Sequence, residues 1–172
     1  MVTPDTAPPA APTALEEELR RLAGSVPDPE LPVLTLEELG VLRGLHVLGP
    51  GRVEVELTPT YTGCPAIESM TADIERVLHE RGIPDVAVRT VLAPPWSTDA
   101  ISSEGRRKLE EFGIAPPRPG GPSGPVMVEL SVRCPNCGST DTTLLSRFSS
   151  TACKALRRCE SCREPFDHFK EL

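Results

Sequence analysis

Apolar residues recur at helical spacing in two stretches of the chain. Over residues 14–24, Leu15, Leu19 and Leu22 fall on one face, which predicts a short amphipathic helix that stops at Gly24. After Pro65 a longer helix is predicted to about residue 81, because the apolar positions again share one face: Ile67, Met70, Ile74, Val77 and Leu78. Further helical turns are expected at the capping-box pattern Thr35–Glu38 and within residues 98–112.

Alternating apolar and charged residues predict strands between these helices. In residues 52–57, Val53, Val55 and Leu57 alternate with arginine and glutamates, as in a strand with one buried face. A Gly-Pro-Gly turn at 49–51 joins this strand to another over residues 41–48, and residues 86–92 predict a third. The fold class expected is α+β, with helices packed on a small mixed sheet.

Proline and glycine predict where the domains begin and end. Residues 1–13 are rich in Pro, Ala and Thr and are expected to be disordered, and eight of the eleven residues in 115–125 are Pro or Gly, which predicts a linker. The α+β domain is therefore expected over 14–114, and a second module over 126–172. A module this short usually needs a staple such as a metal ion to fold.

Two C-x-x-C turns in the second module predict such a metal site. Cys134 and Cys137 form one turn, and Cys159 and Cys162 form the other, with twenty-one residues between them. Two residues between cysteines allow both sulfurs to face one ion, so the four predict a tetrahedral zinc-ribbon-like site. Zinc is the expected metal, but iron or an iron–sulfur centre suits the same ligands. Disulfides or free surface cysteines are the alternative.

Other residues of the module admit simpler interpretations. Cys153 is either a buried or free thiol, or an auxiliary sulfur that exchanges as a ligand or serves metal transfer. Val132, Phe166 and Phe169 are expected to pack the module's thin core. His168 is expected at the surface, because four cysteines leave no vacancy for it in the metal site.

The first domain contains a cysteine of its own. Cys64 lies between Gly63 and Pro65, where a loop meets the longer helix, so its sulfur is expected at or beside the helix N-cap, where free amides favour a thiolate. A small buried core residue is the alternative. Asp28 and Glu30, on a proline-fixed loop, are candidates to approach Cys64 or a metal; an ordinary turn aspartate is the alternative there.

Charge and composition exclude several classes of protein. The net charge is −7, and the second module's charge of +1 falls to −1 once four thiolates and one Zn²⁺ are counted, so the basic surface of a nucleic-acid binder is missing. No apolar run is long enough for a membrane span, and the N-terminus lacks signal regions, so a cytoplasmic protein with reduced cysteines is expected. His46 and His79 are expected at the surface, which leaves Cys64 no base for hydrolase chemistry.

Longer motifs carry a resemblance to known families. The segments DPELPV (28–33), ELGVLR (38–43) and TPTYTGCPA (58–66) resemble the iron–sulfur-assembly domain family associated with SUF machinery. The later segments resemble the PaaD family, an accessory component of bacterial phenylacetyl-CoA epoxidase: PPWSTD (94–99), GIAPP (113–117), CPNCGS (134–139), CKAL (153–156) and CESCREPFDHFK (159–170).

This resemblance implies an accessory role in aerobic phenylacetate breakdown, in maturing a metal centre of the ring epoxidase. It implies that Cys64 transiently binds iron or an iron–sulfur cluster, with Asp28 or Glu30 as an oxygen ligand or proton acceptor. The implied partners are the catalytic di-iron subunit, the iron–sulfur reductase and cluster scaffold proteins. The alternative is a structural subunit that transfers nothing. An enzyme acting on a CoA thioester is disfavoured, because no Gly-rich phosphate cradle or cofactor motif is present.

Overall fold

The computed structural model describes residues 12–118 and 131–171, which form two sheets with helices packed on the first. Most of the N-terminus expected to be disordered (1–13) and of the expected linker (115–125) lies outside these described residues, which include only residues 12–13 and 115–118 of the two. Within them, the α+β class and the small mixed sheet are confirmed.

Four helices lie in the first part of the chain. Helix α1 begins after Thr13 and α2 after Thr35, and each threonine forms a complete capping box with a glutamate three residues on. The helices are α1 (Ala14–Gly24), α2 (Leu36–Leu39), α3 (Ala66–Glu80) and α4 (Ser103–Glu111), with a 3₁₀ turn at Thr98–Ala100. None of the helices in the described residues has both the length and the apolar character to cross a membrane.

The first sheet has three strands. Strand β1 (Leu42–Gly49) pairs antiparallel with β2 (Arg52–Leu57), as the Gly-Pro-Gly turn predicts. Strand β3 (Asp85–Thr90) pairs in parallel with β2, and helix α3 provides the crossover that a parallel pair requires. The buried side chains of β2 are Val53, Val55 and Leu57, the alternation that the sequence predicts.

The second sheet holds the C-terminal module. Its strands are β4 (Ile114–Ala115), β5 (Thr142–Ser146), β6 (Lys154–Cys159) and β7 (Pro165–Phe169), in the spatial order β4-β7-β6-β5. Strands β5, β6 and β7 form an antiparallel ribbon, and β4, which closely follows α4, pairs in parallel with β7. The chain leaving the last helix is thus hydrogen-bonded into the ribbon.

Apolar packing joins the two parts. Cys153 and Phe169 of the ribbon are buried in the same core as the helices and the first sheet. The Phe169 ring lies 6.1 Å from the ring of Trp96, whose Nε1 donates a hydrogen bond to the Leu39 carbonyl at 3.0 Å. The ribbon core contains Val132 and Phe166, as expected, but the expectation that Phe169 packs there is wrong, because its ring points into the larger core.

Candidate metal sites

The two C-x-x-C turns bring four sulfur atoms to one point. The Sγ atoms of Cys134, Cys137, Cys159 and Cys162 all lie within 4.8 Å of one another. Two of the separations are 3.8 Å, from Cys134 to Cys162, and 3.5 Å, from Cys137 to Cys159. Tetrahedral zinc with bonds to sulfur of about 2.3 Å requires separations of about 3.8 Å. The cluster therefore fits a single tetrahedral ion.

The two turns have the same backbone geometry. In each, the amide of the first cysteine donates to the carbonyl five residues on, from Cys134 to Ser139 at 2.8 Å and from Cys159 to Glu164 at 3.0 Å. Each turn also contains a left-handed residue four positions after its first cysteine, Gly138 at φ 76° and Arg163 at φ 67°. The sequence predicts this conformation at the glycine; at the arginine it is an unexpected departure from normal backbone preference.

Backbone amides in these turns point at the sulfur atoms. The Cys162 amide lies 3.5 Å from Cys159 Sγ, and its hydrogen bond lowers the pKa of the Cys159 thiol to about 6. A thiol in this state loses its proton readily to a metal ion. The donor set and the amides are those of a closed structural site, in which an ion would hold the two turns together.

His168 does not join this cluster. It lies on β7 and is only 7% exposed, so the expectation of a surface histidine is wrong. Burial lowers the pKa of His168 to about 4, which keeps its ring neutral at physiological pH. It lies on the ribbon beside Phe148, Ala155 and Arg157, which line the same surface cleft. The expected exposure is confirmed for His46 and His79.

A second group of candidate ligands surrounds a small cavity. Asp28, Glu30, Cys64 and Cys153, which come from three separate parts of the sequence, all line it. Its volume is about 10 Å³, the space of about one water molecule. The remaining lining residues are mostly apolar: Leu31, Leu39, Thr60, Met70 and Phe169.

The loop before α2 holds the two carboxylates. Asp28 is 3% exposed, and its Oδ1 accepts hydrogen bonds from the amides of Glu30 at 2.9 Å and Leu31 at 2.7 Å. Asp28 thus fixes the turn with one oxygen. Burial raises the pKa of the Asp28 carboxyl, and burial together with the nearby Asp28 charge raises that of Glu30. Glu30 is half-buried, whereas Asp28 is buried.

Cys64 lies just before helix α3. Gly63, at φ 81°, turns the chain, Pro65 occupies the N-cap position, and the helix begins at Ala66. The nearby Ala66 amide and Tyr61 hydroxyl favour the charged form of Cys64 and so act to lower its pKa. The expected thiolate is nevertheless wrong, because burial raises the pKa of the Cys64 thiol and outweighs both effects. Tyr61 is affected in turn, since burial and the charge of Cys64 raise its pKa to about 12.

Cys153 reaches the cavity from the ribbon. It is 3% exposed and lies outside the four-cysteine cluster, in the turn before β6. Thr151 Oγ1 lies 3.0 Å from its sulfur, and the Lys170 amide donates to its carbonyl at 3.0 Å. Burial raises the pKa of this thiol as well. The structure therefore shows a buried thiol facing the site of Cys64.

Comparison with known proteins identifies the family of the chain. The chain is 47% identical to an Escherichia coli K12 protein named as the D component of a "Putative 1,2-phenylacetyl-CoA epoxidase", over 89% of this chain and 91% of that protein. The chain belongs to the PaaD family. Consistent with this family, residues 15–93 match the model described as iron–sulfur cluster assembly protein, and residues 120–170 match the PaaD zinc β-ribbon domain.

Two further relatives resemble the first part of this PaaD family member. An "Fe-S protein maturation auxiliary factor" of Porphyromonas gingivalis is 32% identical over 55% of this chain and 90% of that protein. The crystal structure of a domain of unknown function, DUF59, from Bacillus anthracis is 26% identical and covers 56% of this chain and 92% of its own, with a TM-score of 0.52. These matches support the α+β fold of the first part.

Residues from both parts of the chain line the cavity. Asp28, Glu30 and Cys64 fall in the segment that matches the assembly family, and Cys153 falls in the ribbon match. Sequence reasoning missed two residues beside the cavity. Tyr61 stands three positions before Cys64, and Lys154, which is 6% exposed, directly follows Cys153. The signal available in the sequence for these two residues was that each lies close to a candidate cysteine.

Proposed function

We propose that this protein is a non-catalytic accessory factor that helps to mature a metal centre of phenylacetyl-CoA epoxidase. The observation that carries the proposal is the convergence of Cys64 with the carboxylates of Asp28 and Glu30 on one cavity. The family and the assembly relatives supply the biological setting. The cargo is iron or an iron–sulfur cluster, received at Cys64 and passed on.

The chemistry of Cys64 suits transient binding. Burial raises the pKa of its thiol, so a proton occupies the sulfur at neutral pH until a metal ion displaces it. Competition by that proton weakens binding and favours release. Asp28 and Glu30 offer oxygen ligands, or accept the proton that the thiol gives up.

The four-cysteine cluster has a different role in this proposal. It binds a structural zinc ion and holds the ribbon in a shape that docks a client. Leu144, Leu145 and Phe148 are 44–63% exposed on the ribbon and provide apolar surface for such contact. The clients are other epoxidase subunits, either the catalytic di-iron subunit or the iron–sulfur reductase, and the donors are scaffold proteins. We propose that this work takes place in the cytoplasm, where thiols stay reduced.

An accessory role also agrees with the residue types around the cavity. Among the described residues that line it there is no histidine, since His46, His79 and His168 all lie elsewhere. Cys64 therefore has no imidazole base of the kind that activates catalytic cysteines. We propose binding and transfer instead of catalysis.

The test is Cys64→Ser in cells that produce the whole epoxidase. We expect lower occupancy of the di-iron centre, the reductase cluster, or both, measured by iron and sulfide content of the purified subunits. Thr62→Ala, an exposed change in the same loop, is the matched control. Normal occupancy of both centres with Cys64→Ser would contradict the proposal. Loss of activity when the protein is stripped from already matured enzyme would favour the structural-subunit alternative.

A further inference from the structure

The ribbon contributes a sulfur to a cavity that otherwise belongs to the first part of the chain. Cys153 is 3% exposed and Cys64 is 9% exposed, and both line the same space of about 10 Å³. Phe169, which also lines it and is fully buried, fixes the ribbon against this cavity. Two buried thiols from distant parts of the sequence therefore line one space of the volume of a small ligand.

The other polar atoms around the cavity are also metal donors. Asp28 Oδ1 is occupied by two backbone amides, which leaves Oδ2 as the oxygen available to an ion. Glu30, which is only half-buried, adds a second carboxylate to the lining. Two sulfurs with carboxylate oxygens form a mixed donor set that suits a borderline divalent ion such as Fe²⁺ or Zn²⁺.

One buried cation lies near the cavity. Lys154 Nζ lies 3.3 Å from Asp167 Oδ2, and its charge also lowers the pKa values of Asp28 and Glu30, although burial raises both overall. Two carboxylates and two thiols that can ionise thus share the cavity with a single ammonium that is also paired with Asp167. A divalent cation is the ligand that balances such a set.

The size of the cavity limits what it can hold. A volume of about 10 Å³ accommodates one ion with its protein ligands, whereas even a cluster of two irons and two sulfides is several times the size of one water molecule. The space therefore favours a mononuclear ion over a preformed cluster.

We propose that Cys64 and Cys153 jointly bind a single Fe²⁺ ion, with Asp28 as a third ligand and Glu30 at the entrance. The choice of iron rests on the proposed function, whereas the two-thiol site rests on the geometry. Each thiol gives up its proton as the iron–sulfur bond forms, and the protons leave to solvent through Glu30. No change in oxidation state is required.

The test is anaerobic titration of the full chain, with zinc already bound to the four-cysteine cluster. We use Fe²⁺ for stoichiometry and Co²⁺ as an optical probe of thiolate ligation. The wild type should bind one Fe²⁺ per chain, and Cys64→Ser and Cys153→Ser should each weaken binding at least tenfold and reduce the sulfur-to-cobalt charge-transfer band. Thr60→Ala, which removes a cavity hydroxyl without removing a proposed ligand, is the matched control.

A second measurement does not depend on whether the variants fold. Bound Fe²⁺ should protect both Cys64 and Cys153 of the wild type from alkylation, as read by mass spectrometry. Failure to bind an ion beyond the structural one, protection of Cys64 alone, or binding of iron together with sulfide would each overturn the proposal.

The two proposals fail separately. If Cys153→Ser leaves iron binding and epoxidase maturation intact while Cys64→Ser abolishes maturation, the two-thiol site is wrong and the proposed function stands. If both thiols bind iron but Cys64→Ser leaves maturation normal in cells, the site is real and the proposed function is wrong.

Discussion

The four-cysteine cluster and the Cys64 cavity differ in how far their ligands are already assembled. In the cluster, four sulfurs lie within 4.8 Å of one another, and backbone amides point at them. Around the cavity, no three ligand atoms of the described residues Asp28, Glu30, Cys64 and Cys153 lie that close together. A preassembled site binds tightly because little order remains to be imposed, whereas a site that must close around its ion binds more weakly. This difference agrees with the proposal that the cluster holds its metal while the cavity hands metal over.

The two sites are nevertheless coupled through the fold. The cluster fixes the ribbon, and the ribbon places Cys153 and Phe169 beside Cys64. We therefore expect the proposed second site to form only while the first is intact. The comparison of the two sites can be tested by removing the structural metal and by substituting single residues.

The largest effect should follow removal of the structural metal. Structural zinc contributes about 10–16 kcal/mol of apparent binding free energy in small zinc domains, and that energy is folding energy. A strong chelator should therefore unfold the ribbon, seen as loss of its dispersed NMR signals, and should abolish iron binding at the cavity. Added zinc should restore both.

Cys64→Ser is the control for this experiment, because it should leave the ribbon signals unchanged before chelation. Ribbon signals that persist after the metal has left, as verified by elemental analysis, would show that packing alone holds the module.

The next effect concerns the packing that couples the sites. Phe169 is fully buried and contacts Trp96, so Phe169→Ala should lower the free energy of unfolding by about 3–5 kcal/mol. It should also weaken iron binding, because Cys153 loses its support. Phe148→Ala is the matched control, since Phe148 is 63% exposed and its ring contacts Lys170 at the surface. Chemical denaturation measures the stability of both variants, and equal losses would contradict the coupling.

Much of this arrangement follows from local sequence. The capping box at Thr35, the alternation in β2 and the two C-x-x-C turns each depend on residues close together, so their patterns predict them. The position of Phe169 was not predictable in this way. The sequence pattern around Phe169 fits the ribbon core equally well. Its side chain instead packs in the larger core, with residues more than fifty positions away in the sequence.

The same limit applies to the cavity. Asp28, Cys64 and Cys153 were separate candidates in the sequence, and long-range packing alone brings them together. Cys64 also shows why a local electrostatic argument fails. The helix end and its amides favour the thiolate, but burial, which depends on the whole fold, raises the pKa of the thiol.

A smaller effect should appear in the pH dependence of stability. The pKa of His168 is lowered to about 4 by burial, whereas an unfolded histidine titrates near 6.5. As the pH falls from 7 to 5, the unfolded chain takes up a proton that the folded chain excludes, so stability is lost over this window. The loss attributable to His168 should be about 1–2 kcal/mol.

His168→Gln should remove this part of the pH dependence, whereas His79→Gln, an exposed change, should not. Denaturation with zinc present at each pH measures the difference between variants. Parallel pH profiles for the wild type and His168→Gln would show that the histidine titrates normally in the fold.

The smallest effect lies within the preassembled site itself. Arg163 adopts φ 67° where the equivalent turn has Gly138, and this conformation costs a non-glycine residue about 1–2 kcal/mol. Arg163→Gly relieves that strain but adds about 0.5–1 kcal/mol of backbone entropy to lose on folding, so the ribbon should gain about 0.5–1 kcal/mol. The change also removes an exposed ion pair with Glu160 at 3.0 Å, which contributes little. Arg163→Ala removes the ion pair and keeps the strain, so the glycine variant should be the more stable of the two in thermal unfolding with zinc bound. If the two variants unfold at the same temperature, the strain at Arg163 is no larger than the backbone entropy that glycine adds, about 0.5–1 kcal/mol, and the expected gain is contradicted.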